Sequence, residues 1–364
     1  METDPDKAQS LRTRGDIYRI LNKCEDAIKD LNKSLEIEPN NVYALRVRGS
    51  VYTKLKNFDD AFKDLNKALE LDPVNSYALG VRAEVYTKLR KFDDALNDSN
   101  KALEIDPDNS YVLGVRGEIY LKLKNYDKAL EDLNKSLKFD PDNSYVLSVR
   151  GEVYLKLDNY DEAFKNLDKA LEIDQNNSYA LGVRGEVYYM IENYDEVFKN
   201  FNKALEIDPE NSYVLEIRGD IFRMWGKYDE SLKDFSTILE RDPKNTYALA
   251  IRGRVYGILD KYKDALNDLD NLLDLDPDNT WALTTRGDVY RRQWKYNDAL
   301  IDLDKSLKLD PSNSFAWRIR GMTYYSLNKH INAIMDLDKS LKLENDYEFK
   351  LKMLRIYHQI GLHL

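Results

Sequence analysis

Apolar residues recur along the chain with a helical period, in pairs of short runs. In residues 42–75 they occupy positions 3, 4, 6, 10, 11 and 14, and then positions 20, 21, 24, 27, 28 and 30. Spacings of three and four place these side chains on one face of a helix. An asparagine stands before the first helix as a good N-cap, as at Asn109, Asn143 and Asn211. Asp161 is the expected cap of a second helix, and an Asp-Pro pair such as the one ending at Pro73 terminates it. The pattern predicts two antiparallel helices joined by a short loop.

This pattern returns every 34 residues. All nine prolines share one phase of that period, with one double gap where Gln175 takes the place of a proline. A short lead, 1–7, precedes the repeats, and residues 348–364 begin like another first helix and are predicted to cap the array. The frame gives ten repeats, numbered 1 to 10 in chain order: 8–41, 42–75, 76–109, 110–143, 144–177, 178–211, 212–245, 246–279, 280–313 and 314–347.

Small and aromatic residues hold fixed places in each repeat. Position 8 is glycine in nine repeats and Ala83 in the other, although glycine inside a helix costs about 1 kcal/mol relative to alanine. That choice indicates close approach of the two helices. With a large residue at 4, tyrosine at 11, alanine at 20 and 27 and proline at 32, the pattern resembles the tetratricopeptide-repeat family. In repeat 5 the matching residues are Leu147, Gly151, Tyr154, Ala163, Leu167 and Ala170.

The resemblance implies an all-α solenoid with a role in protein interaction. In this family, helical hairpins stack into a right-handed superhelix whose first helices line a concave groove for extended segments of other proteins. The resemblance therefore implies a non-enzymatic scaffold or adaptor. The family's pocket for the terminal carboxylate of heat-shock chaperones needs Lys at 5 and Asn at 9, and no three consecutive repeats supply its full set. Two alternatives stay open: a chaperone-associated adaptor, and a structural or regulatory module that self-associates through the ends of the array.

One departure from the family pattern is systematic, because position 7 is arginine in all ten repeats. It lies on the packed face with positions 4, 8 and 11, where a charge needs a partner. Position 23, at a similar height on the second helix, is Asp in eight repeats and Asn166 or Asn200 in the other two. We predict a contact between positions 7 and 23 in each repeat; arginines offered to an acidic ligand are the alternative. The arginines are Arg14, Arg48, Arg82, Arg116, Arg150, Arg184, Arg218, Arg252, Arg286 and Arg320.

A second stripe of the first helix, positions 2, 5, 9, 12 and 13, is expected to face the groove. Position 5 is small in the middle repeats, as at Gly80 and Gly114, which predicts open space beside position 2. Position 9 is acidic there, and a lysine four residues later predicts i,i+4 pairs such as Glu118 with Lys122. The aromatic residues at position 2 suit either a partner interface or packing between successive repeats. Those expected to bind a partner are Tyr77, Tyr111, Tyr145, Tyr179, Tyr213, Tyr247, Trp281 and Phe315.

The later repeats carry a different set of groove residues. Trp281 replaces tyrosine at position 2, and Trp225 and Trp294 follow nearby. Arginine together with aromatic residues is typical of interface hot spots. We expect repeats 7 to 10 to bind an extended, acidic or phosphorylated segment of another protein; sequence drift near the end of the array is the alternative. The arginines expected to contact the partner are Arg223, Arg254, Arg291, Arg292 and Arg318.

The charge balance and the rare residue types argue against other functions. A formal net charge of -10 does not provide the basic surface of a nucleic-acid binder. Cys24 is the only cysteine, the chain starts without a signal-peptide pattern, and no apolar run reaches the roughly 18 residues of a membrane span. We therefore predict a cytoplasmic protein without membrane insertion. The three histidines, His330, His358 and His363, show no metal-ligand spacing, so no catalytic, metal or cofactor site is expected.

Overall fold

The computed structural model describes residues 5–343, which form twenty α-helices joined by turns. The first helices of the ten hairpins are α1 (Pro5–Ile20), α3 (Val42–Lys54), α5 (Ser76–Lys88), α7 (Ser110–Lys122), α9 (Ser144–Lys156), α11 (Ser178–Met190), α13 (Ser212–Met224), α15 (Thr246–Ile258), α17 (Thr280–Arg292) and α19 (Ser314–Ser326). The second helices are α2 (Cys24–Ile37), α4 (Phe58–Leu71), α6 (Phe92–Ile105), α8 (Tyr126–Phe139), α10 (Tyr160–Ile173), α12 (Tyr194–Ile207), α14 (Tyr228–Arg241), α16 (Tyr262–Leu275), α18 (Tyr296–Leu309) and α20 (His330–Leu343).

The helices form two compact bodies that divide between Ile207 and Asp208. The N-terminal body holds α1 to α12 and the C-terminal body holds α13 to α20. Within each body, the two helices of a hairpin pack on each other, and the second helix also packs on the next first helix. First helices of successive hairpins touch as well, so positions 2, 5, 9, 12 and 13 form a continuous surface within each body, here called the first-helix face. No helix among residues 5–343 is long and apolar enough to cross a bilayer.

Asparagine caps many first helices and some second helices, although not always where the sequence predicts. The Asn41 side chain accepts a hydrogen bond from the Ala44 amide at 3.0 Å, as expected for the first helix. The second helix differs, because Asn159 and not Asp161 caps α10, accepting from the Glu162 amide at 3.2 Å. The preceding residue, Asp158, is in the left-handed region with φ 56°, which reverses the chain sharply enough for the helix to restart at once. The predicted cap at Asp161 is therefore wrong. The predicted capping segment 348–364 lies outside the described residues.

Glycine at position 8 allows the two helices of a hairpin to touch. A Cβ atom added to Gly117 would lie 2.7 Å from Cγ of the fully buried Leu133 at position 24. In repeat 3 the glycine is replaced by Ala83, and the residue at position 24 is the small Ser99 instead of a leucine or phenylalanine. The predicted close approach is confirmed, and the volume at position 8 is balanced against the volume at position 24.

The arginine at position 7 holds two hairpins together. Arg116 donates from Nε and Nη2 to the two carboxylate oxygens of Asp132, at 2.7 and 2.8 Å, which confirms the predicted contact within a repeat. Its remaining nitrogen, Nη1, donates to Asn100 Oδ1 at 2.9 Å, on the second helix of the preceding repeat. This second partner, at position 25, was not predicted from the sequence. Because each guanidinium nitrogen is used inside the fold, these contacts favour the structural role of the arginine over a role in ligand binding.

Two hairpins replace the carboxylate with an amide. Arg150 donates to Asn166 at 2.7 Å and to Asn134 at 2.7 Å, and both acceptors are neutral. Burial lowers the pKa of Arg150, whereas the hydrogen bond to Asp132 raises the pKa of Arg116. The arginine at position 7 therefore keeps both acceptors, one in its own repeat and one in the preceding repeat, when the ion pair is lost.

Candidate partner-binding face

The tyrosines at position 2 bond to carboxylates at position 9 of the preceding repeat. Tyr111 donates from its hydroxyl to Glu84 Oε2 at 2.6 Å. The same contact joins Tyr179 to Glu152. In the C-terminal body Tyr247 donates to Asp220 in the same way. We call this series the tyrosine–carboxylate ladder, and it is a contact between repeats that the sequence argument did not find.

Lysines at position 13 extend the ladder to the following repeat. Lys122 Nζ lies 3.4 Å from Glu152 Oε1, and Lys156 Nζ lies 2.8 Å from Glu186 Oε1. Each lysine therefore pairs with the position-9 carboxylate of the next repeat, so the predicted pair between Glu118 and Lys122 on one helix is wrong. The adjacent first helices lie so close that the long lysine side chain reaches across to the neighbour.

The small residues at position 5 create that closeness and leave no room for a ligand. A Cβ atom added to Gly80 would lie 2.7 Å from Val112 Cγ2 and 3.2 Å from Tyr111 Cε1, both in the next repeat. A Cβ atom on Gly114 would lie 2.9 Å from Val146 Cγ2. The predicted open space beside the aromatic rings is therefore filled by a valine of the following first helix.

The remaining tyrosines expected to bind a partner are also engaged with neighbours. The rings of Tyr77 and Tyr111 stack with centroids 5.6 Å apart, and those of Tyr145 and Tyr179 lie 5.9 Å apart. Tyr213 is half-buried in the first turn of α13. For the tyrosines of the N-terminal body, these contacts favour packing between successive repeats, the alternative that the sequence left open.

We expect the ladder to make stability fall in alkali. Burial raises the pKa of Tyr111 and of Tyr145 well above the usual value, and nearby carboxylates raise both further. The folded state therefore keeps these protons when the unfolded chain, with a tyrosine pKa of about 10, has lost them. The contribution to stability is full below that pH and is lost as the pH rises toward the folded pKa.

Urea midpoints measured across this pH range should show the decline, and Tyr111→Phe with Tyr145→Phe should make it shallower. An unchanged slope in the double variant would show that the two hydroxyls are not the groups responsible.

The ladder stops in the C-terminal body. At position 9 of repeat 8 the carboxylate is replaced by Arg254, and its expected partner at position 2 of repeat 9 is Trp281, which has no hydroxyl. One repeat later, Phe315 stands at position 2 after Asp288 at position 9, so this carboxylate has no tyrosine to accept from. Both partners of the ladder contact therefore change between repeats 8 and 9, and only the tyrosine is lost between repeats 9 and 10.

A pocket of about 240 Å³ lies at this break, on α15, α17 and α19. We call it the arginine pocket. It brings together five of the residues that the sequence pointed to, because four arginines and Phe315 line it. The predicted Arg223 does not line it but pairs with Asp220 at 2.8 Å, and Trp294 is an 80% exposed turn residue. The lining residues are Arg254, Gly257, Ile258, Thr285, Asp288, Val289, Arg291, Arg292, Phe315, Arg318, Ile319 and Met322.

The charges in the pocket are unevenly balanced. Asp288 accepts from Arg291 at 2.7 Å and from Arg292 at 3.0 Å, so it is occupied by two guanidinium groups. Arg254 makes no hydrogen bond or ion pair with any residue in 5–343. Burial lowers its pKa, and the neighbouring cations Arg223 and Arg318 lower it further. The Arg318 guanidinium stands 4.9 Å from the centre of the Phe315 ring. Asp288 and Asp220 act in the opposite direction on the pKa of Arg254, but neither forms an ion pair with it.

Comparison with known proteins agrees with the hairpin array. Family profiles described as tetratricopeptide repeat or TPR repeat match residues 15–56, 42–75, 76–109, 110–143 and 143–210, together more than half of the chain. The chain belongs to the tetratricopeptide-repeat family. No curated protein matches this tetratricopeptide-repeat chain in a sequence comparison.

Three solved structures align with the chain at low sequence identity. The crystal structure of the APC/C hetero-tetramer Cut9-Hcn1 aligns with 98% of the tetratricopeptide-repeat chain and 77% of its own, with a TM-score of 0.67 and 17% identity. The yeast Tom70 structure aligns with 99% of this chain and 96% of its own, at a TM-score of 0.43 and 20% identity. A thermophilic TPR protein of Thermus thermophilus, TTC0263, covers 51% of this chain and 99% of its own, at 0.45 and 22%. At these identities the likeness to Cut9-Hcn1 shows the fold, an α-solenoid of tetratricopeptide repeats.

Several residues of the pocket escaped the sequence argument. Asp288 looked like another position-9 acid, and the apolar Ile258 and Met322 carry no sequence signal of their own. The sequence does contain one signal that could have located the pocket. Within the tetratricopeptide-repeat frame, Arg254 replaces the acidic residue at position 9 and Trp281 replaces the tyrosine at position 2 of the next repeat.

No group of residues within 5–343 could hold a metal ion. His330 is exposed and lies edge-on against Tyr325 with ring centres 5.7 Å apart. His358 and His363 lie outside the described residues.

Proposed function

We propose that the chain is a protein-interaction scaffold that binds an extended, acidic or phosphorylated segment of another protein on the first-helix face of repeats 7 to 10. The observation that carries this proposal is the arginine pocket, where the tyrosine–carboxylate ladder stops and Arg254 is left without a partner among the described residues. Membership of a family whose grooves hold other proteins supports a protein as the ligand. The net charge of -10 directs the choice away from nucleic acid, whose binding needs a basic surface.

The N-terminal body suits a different role. Its tyrosines, carboxylates and lysines are bonded to one another across successive repeats. Glu152, for example, accepts a hydrogen bond from Tyr179 and forms an ion pair with Lys122. A side chain that is already satisfied gains little from a ligand and loses its present contact on binding one. For this part of the face, the alternative of a structural stack without a dedicated ligand is favoured.

The proposal predicts that restoring the ladder removes binding. Arg254→Glu with Trp281→Tyr gives repeats 8 and 9 the pair that other repeats already carry, so the double variant is expected to fold. Wild-type protein should enrich acidic peptides from an unbiased library of extended sequences, and the double variant should lose that enrichment. The measurement is the peptide composition recovered on each protein.

A matched control is available elsewhere in the chain. Arg90→Glu makes the same charge change at an exposed turn residue with φ 58°, and Glu192 occupies the same position of another repeat with φ 61°. This variant should enrich the same peptides as the wild type. If the ladder-restoring variant also keeps the enrichment, the arginine pocket is not the binding site.

A further inference from the structure

We propose that the arginine pocket takes the phosphotyrosine side chain of a partner protein. This inference rests on the proposed function and names the group that anchors the bound segment. It follows from the charged residues that line the pocket, from the apolar residues that share the lining, and from the size of the space.

The charged part of the lining matches a dianion better than a single carboxylate. Four arginines and one aspartate line the pocket. A phosphate ester carries a charge of about -1.5 to -2 at pH 7 and three strong acceptor oxygens. Guanidinium groups bind such oxygens with paired, charge-assisted hydrogen bonds. Arg254, which has no ion pair among the described residues, is the group that gains most from a bound phosphate.

The apolar part of the lining favours an aromatic stem. Gly257, Val289 and Ile319 are buried, whereas Ile258 and Met322 keep apolar surface open that a phosphate on a short side chain would leave uncovered. A phenyl ring would cover this surface and could also stack against a guanidinium plane. Phosphotyrosine combines the ring with the dianion.

The size of the pocket fits one large side chain. Sites that enclose a whole small-molecule ligand occupy about 300–1,000 Å³. The arginine pocket, at about 240 Å³, is smaller. It therefore suits a single anchoring residue of a segment whose remaining residues lie along the first-helix face.

Asp288 acts as an internal competitor for the phosphate. Its carboxylate already receives hydrogen bonds from Arg291 and Arg292, and it repels an incoming anion. Asp288→Asn keeps the shape of the side chain and removes the charge. This substitution should therefore strengthen binding, which is not expected for a residue that only holds the pocket together.

The test is calorimetric titration of the full chain with phenyl phosphate, inorganic phosphate and phenylacetate. Phenyl phosphate should bind with a Kd of about 1 mM, as expected for a ligand of this size. The other two should bind about tenfold more weakly, because each lacks either the ring or the dianion. Arg254→Glu with Trp281→Tyr should weaken phenyl phosphate binding about tenfold or more, and Asp288→Asn should tighten it about threefold or more. Arg90→Glu should leave it unchanged.

Two results would overturn the assignment. Equal binding of phenylacetate would show a carboxylate site, and equal binding of inorganic phosphate would show that the ring makes no contact. Weaker binding in Asp288→Asn would contradict the competition. These failures differ from failure of the proposed function, because unphosphorylated acidic peptides could still be enriched by the wild-type face and lost in the ladder-restoring variant.

Discussion

Replacement of Gly117 by alanine is expected to destabilise its hairpin by about 2 kcal/mol, even though alanine favours a helix. The new methyl carbon would lie 2.7 Å from Cγ and 2.8 Å from Cδ2 of Leu133, a side chain that is fully buried. Overpacking of this kind costs about 1–3 kcal/mol, and the gain in helix propensity recovers only part of the strain. The measurement is native-state hydrogen exchange in α7 and α8, which reports local opening of one hairpin in a repeat array.

Repeat 3 supplies the control for this experiment. Ala83 stands there at the glycine position and Ser99 at the leucine position. Ser99→Leu alone should destabilise repeat 3, whereas Ser99→Leu with Ala83→Gly should recover the loss, because the pair then matches the other repeats. If the two substitutions in repeat 3 act additively, the volumes at positions 8 and 24 are not coupled, and the expected loss at Gly117 has another cause.

Replacement of Asp132 by alanine is expected to cost about 2–3 kcal/mol of local stability. The Asp132 side chain is only 7% exposed and receives two hydrogen bonds from Arg116, so its loss leaves a half-buried guanidinium without its main acceptor. The exposed part of Arg116 keeps the cost below that of a fully buried pair. Hydrogen exchange in α7 and α8 again gives the measurement.

Asparagine at the same position is the informative comparison. Asp132→Asn imitates repeats 5 and 6, where Asn166 and Asn200 accept from the arginine at 2.7 and 2.9 Å. It should cost about 1 kcal/mol or less. Equal losses for the alanine and asparagine variants would show that the charge, and not the hydrogen-bond geometry, carries the contact. Neither variant should alter peptide enrichment, since the arginine at position 7 has a structural role.

The sequence was most informative about contacts within one hairpin. The register between positions 7 and 23, and the close contact at position 8, depend on two helices joined by a fixed loop, so residue numbering alone relates them. Contacts between hairpins depend on the angle at which one stacks on the next, which no spacing in the chain encodes. This is why the second partner of Arg116, Asn100, was not predicted and why Lys122 was assigned to Glu118 instead of Glu152.

The candidate site was likewise predicted only in part, because it is formed by contacts between hairpins. Arginine and aromatic residues of the later repeats could be singled out by comparing repeats position by position. The residues that converge could not be predicted in this way. Arg223 in repeat 7 and Arg291 in repeat 9 both stand at position 12 and both pair with the aspartate three residues earlier, yet only Arg291 lines the pocket. The role of Asp288 depends on the loss of a tyrosine one repeat later and becomes apparent only when the ladder has been seen.

The arginine at position 7 has one acceptor in its own repeat and one in the preceding repeat, and these contacts also make most neighbouring repeats interchangeable. The acceptor in the preceding repeat is Asn100 for Arg116, Ser236 for Arg252 and Asp270 for Arg286. The arginine therefore donates to whichever of these residue types the adjoining repeat presents. Whole repeats could be gained, lost or exchanged without changing the kind of contact at the junction. The arginine pocket has no such freedom, because it draws on three particular repeats in one order. Shuffling of repeats would therefore conserve the stack and erase the site.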